Sequence, residues 1–391
     1  MKGDFQQLVR AKTATQLIFL VCGLGVASWA PMVPYAKDRL NLHEGQLGIL
    51  LLFMGGGALI MMPLAGWLSN KYGNRVIMGA AGLLLGLLLP LLLLITSPVA
   101  MAGALLLFGA GAGAIDVAMN AHGVQVQNLY GKPIMSSLHG LFSVGGLLGS
   151  LGLGFLVKLG LEPLHAAIGI GLLLIAITAT QYKHLFHFKK EKEIIQRFNQ
   201  PKAEQPKSGR QQWLHRSVLF LGVMCFASFI SEGAMLDWSA VYLRDVKAVP
   251  KELAGIGYAA FSIAMAVMRL LGDGIVEKWN GKTVVISGSL VAATGLAISI
   301  LSPNIYLVLT GYILLGIGAA NIVPVFFSDG GRLPGIPSTV SIPAITTIGY
   351  TGSLAGPALL GFIAHHFSLN IAFGITALLM LSISIGYSFK K

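Results

Sequence analysis

The stretch VIMGAAGLLLGLLLPLLLLI, residues 76–95, runs for twenty residues without a charge. About 18 apolar residues in a row mark a membrane-crossing helix, because 1.5 Å of rise per residue then covers the hydrocarbon layer. IAFGITALLMLSISIGYSF, residues 371–389, reads the same way. The whole chain shares this character: 55% of its 391 residues are hydrophobic, 11% are charged and the mean hydropathy is +0.76. A soluble domain carries roughly 25% charged residues. The chain therefore reads as a polytopic membrane protein, and its 50 glycines fit helices that approach closely in lipid.

Hydrophobic runs predict twelve spans, near 14–36, 46–69, 76–96, 99–126, 134–158, 164–186, 216–244, 251–276, 283–301, 305–327, 339–363 and 369–388. They divide the chain into a bundle over 1–186, a polar linker over 187–214 and a bundle over 215–391. The N-terminal apolar run is too long for a signal-peptide core and reads as an uncleaved first helix. Cys22 and Cys225 lie in apolar runs without metal-type spacing and read as packing residues.

The net charge of +12 does not mark a nucleic-acid binder, since nine of the 27 Lys and Arg residues fall in the central polar segment 182–216. With an even number of spans, both termini share a side. That side collects 20 of the cations, the other has six, and Arg269 lies within a span. The bias places both termini and the linker in the cytoplasm.

The halves repeat. GGLLGSLGLGF (145–155) aligns with GSLAGPALLGF (352–362) at an offset of 207, and GAGAID (111–116) pairs with GIGAAN (316–321) at 205. A six-helix unit keeps its orientation, so the repeat is parallel about the membrane normal. Such an arrangement puts the substrate site between the halves near the midplane.

GWLSNKYGNR (66–75) resembles the loop G-x-L-x-D-[RK]-x-G-[RK]-[RK] of the major facilitator superfamily, with Asn70 at its acidic position and Arg75 at its basic end. RLLGDGIVEKWNGK (269–282) resembles the second-half copy, with Glu277 and Lys278 at the acid–base positions. Blocks such as ASWAPMVPYAKDRLNLHEGQLG, DVAMNAHGVQVQNLYGKPIMSSLHG, SEGAMLDWSAVYLRD and NIVPVFFSDGGRLPG resemble the YbjJ-type branch, relatives of the fucose permeases. Where that branch often carries Arg, this chain has Met32. The resemblance implies an all-α fold of two six-helix bundles, with the first, fourth, seventh and tenth spans lining a central cavity. It also implies that one chain carries the whole pathway.

Asp116 and Asn120, four residues apart, share a face of the fourth span. A carboxylate facing lipid costs at least roughly 2.5 kcal/mol, so Asp116 faces the cavity or a partner helix. Two readings stand: a proton or substrate site, or a helix–helix hydrogen bond to a Ser, a Thr or His139. Asn321 is the repeat mate of Asp116. Glu232 in the outer half of the seventh span is a second proton or substrate candidate. Asp237, five residues on and about 140° around the helix, reads as an outer-gate contact. Arg269, Asp273 and Glu277 follow i, i+4, i+8 spacing, which predicts an Arg269–Asp273 ion pair able to lock a gate. His139 reads either as a titrating group or as a bonded core histidine, and Trp29 either stacks on a ligand or packs.

Four intramembrane acids face one fixed cation, which argues against anionic cargo. The sequence thus predicts a secondary transporter of the bacterial-type inner membrane, moving a small polar solute, neutral and sugar-like solutes included, with protons. Proton-coupled efflux of drug-like or metabolite cations is the alternative, and a non-transporting membrane sensor is a third reading. No nucleotide loop or clustered metal ligands call for a cofactor, a metal or enzymatic activity. The expected partners are substrate, protons and membrane lipid.

Overall fold

The structure, a computed structural model, describes residues 2–42, 44–198, 213–249 and 256–390. Twelve of its helical segments are long and apolar enough to cross a membrane. The first half carries α1 (Lys2–Ser28), α2 (Val33–Arg39), α3 (Glu44–Tyr72), α4 (Asn74–Leu91), α5 (Pro98–Tyr130), α6 (Met135–Lys158) and α7 (Pro163–Tyr182). The linker contributes α8 (Phe188–Phe198). The second half carries α9 (Arg216–Asp245), α10 (Ile256–Trp279), α11 (Gly281–Leu301), α12 (Ile305–Ala319), α13 (Ile322–Gly330), α14 (Ser338–His366) and α15 (Leu369–Ser388). The expected start of the eighth span at 251, Lys251 and linker residues 199–212 lie outside the described residues.

Two expected spans are interrupted, both at prolines. The first is one helix to Ser28, then a 3-10 turn (Ala30–Met32) and α2. Pro31 and Pro34 supply no N–H to the preceding turn and so end the regular helix. The tenth breaks between α12 and α13, with Ala320 and Asn321 in the gap. Pro324 has no N–H for the carbonyl four residues back, which is that of Ala320.

Contacts divide the chain into two compact units. One comprises Met1–Gly131, Leu141–Gly209 and Gly331–Pro343; the other comprises Lys132–Gly140, Arg210–Gly330 and Ala344–Lys391. The opening turns of α6 therefore pack with the second-half helices, and those of α14 with the first-half helices.

Within the first unit, α3 and α5 meet along a glycine seam. A Cβ on Gly109 would collide with the Met54 carbonyl, and one on Gly57 with that of Leu106. Gly145 and Gly149 bring α6 against the α1 backbone, and Gly352 brings α14 against α9. In lipid, where apolar side chains gain little by leaving the solvent, such close backbone contact is what holds helices together.

The loops after α4 and α11 use one device twice. Arg39 donates from Nε to the Ile95 carbonyl (2.8 Å) and from Nη2 to that of Leu92 (2.7 Å), satisfying carbonyls at the end of α4. Lys247 donates to the Ile300 (3.2 Å) and Ser302 (2.7 Å) carbonyls at the end of α11. These residues lie 207 or 208 positions apart, as the repeat requires. Burial lowers the pKa of both cations.

Candidate functional site

In the first unit, α5 is buried on all sides from Gly111 to Gln127. Asp116 is 7% exposed and Asn120 fully buried. The Asn120 side-chain nitrogen donates to the Asp116 backbone carbonyl (2.9 Å) and reaches its Oδ1 at 3.4 Å. The structure thus brings these two candidates together by ordinary i, i+4 geometry. Trp29 is buried at the start of the 3-10 turn, and its Nε1 has no hydrogen-bond partner among the described residues.

In the second unit the charged candidates converge on α10. Arg269 Nη2 lies 3.1 Å and 3.3 Å from the two carboxylate oxygens of Glu232 on α9. Its Nε donates to the Ala320 carbonyl at 3.2 Å, the group that Pro324 leaves without a helical donor. One guanidinium thus joins α9 to the broken span. The i, i+4 spacing pointed to Asp273 as the partner of Arg269; Glu232, reaching across from α9, is a carboxylate partner that the spacing did not indicate. Asp273 accepts the backbone N–H of Ser137 (3.1 Å) in the first turn of α6. A carboxylate is favoured there by the unpaired amides and the positive end of the helix dipole.

Asn321 sits in the helix break. Its side-chain nitrogen donates to the Met268 carbonyl (3.2 Å), while its buried Oδ1 has no donor among the described residues. Gly272 leaves room for that oxygen, since a Cβ there would strike both Asn321 and Ser136. His139 is buried and stacks on Phe327, ring centroids 5.6 Å apart. Asp237 is exposed on α9, beside Trp238, which packs over Gly361.

Two of the gating candidates, Glu277 and Asn70, lie on matching contacts. Lys132 Nζ pairs with Glu277 at 2.8 Å, and the Thr339 hydroxyl donates to Asn70 Oδ1 at 2.5 Å. Arg75 turns to the linker instead: its Nη1 is 2.6 Å from His187 Nε2 and its guanidinium lies 4.1 Å from the Tyr182 ring centre. Lys132, Thr339 and Ser137 were not singled out in the sequence. Applying the 207 offset to Asn70 leads only to Glu277; their partners come from the first turns of distant helices. The Ala320 carbonyl was likewise missed, although Pro324 marks it.

A profile described as Major Facilitator Superfamily matches residues 17–335. A protein of Yersinia pestis described as an uncharacterized MFS-type transporter is 43% identical over 376 residues, covering 96% of this chain and 94% of that protein. Membrane protein MosC of Rhizobium meliloti is 30% identical, over 96% of this chain and 87% of its own length. Among solved structures, the transporter FucP in its outward conformation superposes with a TM-score of 0.76 at 14% identity, covering 98% of this chain and 99% of that one. The proton:xylose symporter XylE gives 0.75 at 14% identity, over 97% and 95%. At such identity these two likenesses speak to the fold.

Proposed function

Since this chain belongs to the Major Facilitator Superfamily of secondary transporters, we propose that it carries a small polar solute, neutral and sugar-like solutes included, by alternating access coupled to protons. The observation that carries this reading is Asp116, a carboxyl group buried in the middle of an apolar span with Asn120 bonded beside it. A carboxyl group holds or releases a proton according to its surroundings, and alternating access changes those surroundings in every cycle. Asp116 is the first proton or substrate group in this reading.

Glu232 is the second. With Glu232 ionised, Arg269 is held between it and the Ala320 carbonyl. A proton on Glu232 removes the charge that holds the guanidinium and so loosens the join between α9 and the broken span. Asn120, Asn321 and Trp29 offer polar groups suited to a hydroxylated solute, and His139 a ring. The Lys132–Glu277, Ser137–Asp273 and Thr339–Asn70 contacts form the gate in this reading, on the side where the excess of Lys and Arg places both termini, the cytoplasmic one. Glycines 145, 149 and 352 keep their helix pairs in close contact while the gate works.

The test is a thermal-stability panel on purified protein with neutral sugars, polyols, amino acids, carboxylates and lipophilic cations at two pH values. A ligand at 100 times its Kd adds about 2.7 kcal/mol. Neutral-solute stabilisation that Asp116→Asn removes or makes independent of pH is the expected result. Coupled transport at the wild-type level by Asp116→Asn would defeat the assignment. Stabilisation by lipophilic cations alone would favour proton-coupled efflux, which uses the same carboxylate.

A further inference from the structure

The helix α8 lies outside the membrane-crossing segments, and its sequence FKKEKEIIQRF holds one misplaced acid. Lys189, Lys190, Lys192, Glu193 and Arg197 are exposed, as a solvated helix requires, yet Glu191 is buried with Ile194. Glu191 is 2% exposed. Its Oε2 accepts the backbone N–H of Asn74 (3.0 Å) and faces the Asn74 side-chain nitrogen (3.3 Å). Asn74 opens α4, where the backbone amides have no acceptor within the helix. The cap therefore comes from a segment 117 residues away. Gly73 makes room for it: its φ is +91°, and a Cβ there would press at 3.3 Å on both Phe188 and the Glu191 carboxylate.

The approach to α8 is fastened too. His122 Nε2 accepts the backbone N–H of Phe186 at 3.0 Å, and Arg75 holds the His187 ring. Yet two buried acceptors in this cluster, Glu191 Oε1 and Asn74 Oδ1, have no donor among the described residues. They belong to side chains already in contact. An ionised carboxylate brings only acceptors, whereas a carboxylic acid brings one O–H. A protonated Glu191 is able to donate to the Asn74 oxygen and give that acceptor a partner.

We propose that Glu191 is a proton-binding site that governs the docking of α8 on the α3–α4 turn: the helix is clasped when the carboxyl is protonated and loosened when it is ionised. Burial lifts this carboxyl from 4.5 to about 7, against the opposing pull of the Asn74 and Arg75 amides. A raised value in the docked state means that docking is strongest below about 4.5 and weakens as the pH rises to about 7. The surrounding charges have other contacts, although the buried Arg75 Nε has no acceptor among the described residues. Arg75 stacks on Tyr182, Lys71 lies over Trp67 and Tyr72, Lys192 lies over Phe188, and Lys190 faces Glu193. His122 and His187 are the other titratable groups near the clasp, and His187, the exposed one, is the control.

Nitroxide labels at Lys183 and Gln196, both exposed, report the position of α8 against α7 in the full-length protein lacking Cys22 and Cys225. The expected distance distribution is narrow at pH 5 and acquires a second, broader population by pH 8, at least three-fold larger than at pH 5. Glu191→Gln, neutral and able to donate, stays narrow at both; His187→Asn keeps the wild-type profile; Asn74→Asp, which sets a second acid against the first, enlarges the broad population at pH 8. A wild-type distribution that does not change with pH overturns the proposal, whatever the variants do. So does a pH response that His187→Asn abolishes and Glu191→Gln preserves.

Discussion

Lys132 and Glu277 form a 2.8 Å ion pair, and the residues at the same positions of the other repeat, Thr339 and Asn70, meet through a 2.5 Å hydrogen bond. Both pairs are related by 207 residues. The gate proposed above would thus have one charged clasp and one neutral clasp. Asn70→Asp puts an acid beside the second residue of α14, where the helix dipole favours it by about 0.3–1 kcal/mol. The variant is expected to melt slightly higher and to transport up to several-fold more slowly. Faster transport with unchanged stability would show that this contact does not hold the gate.

The charged clasp responds to salt. Both side chains are about half exposed, so the pair contributes roughly 0–1 kcal/mol and screening reduces it. Glu277→Gln is expected to lower stability by that amount in low salt and to match wild type at 0.5 M salt. A deficit that persists undiminished in high salt would assign Glu277 another role.

The Glu232–Arg269 pair is largely buried, with side chains 19% and 9% exposed. Removing one partner of a buried pair costs about 3–5 kcal/mol. Glu232→Gln and Arg269→Met should each lower the melting temperature more than the double variant does. Additive losses in a double-mutant cycle would mean that the two side chains are not coupled.

The repeated loop caps differ in their donors, Arg39 in one and Lys247 in the other. Arg39→Ala leaves the Leu92 and Ile95 carbonyls without their charged donor, a loss of about 1.5–3 kcal/mol for hydrogen bonds of this kind. Arg39→Lys should recover part of it, because lysine already serves at position 247. Identical melting of Arg39→Ala and wild type would show that solvent replaces the guanidinium.

Much of this architecture is legible in the sequence, since span length and apolarity follow from the thickness of the hydrocarbon layer. The runs at 76–95 and 371–389 needed nothing else. The local breaks at Pro31, Pro34 and Pro324 were smoothed over, because hydropathy does not register a missing N–H. The candidate site was legible as a set of residue types and not as a set of partners. Asp116 with Asn120 follows from helix periodicity, whereas Glu232 with Arg269 joins two helices whose relative rotation no local pattern encodes. Glu191 was hidden for the opposite reason: in a run of lysines an acid reads as solvated, and only its distant contact with Asn74 says otherwise.

The α3–α5 seam makes a separate demand. On one helix, Gly103 has open space around it, whereas a Cβ on Gly109 collides with the Met54 carbonyl. Gly103→Ala should be neutral or stabilising by up to about 1 kcal/mol through helix propensity, while Gly109→Ala should lower expression and stability. A saturation library scored only for protein reaching the membrane would therefore draw this seam as a stripe that refuses every side chain, before any cargo enters the assay. The exposed leucines 51 and 52 would tolerate almost any apolar replacement. The chain's narrowest tolerance for change would then mark backbone touching backbone.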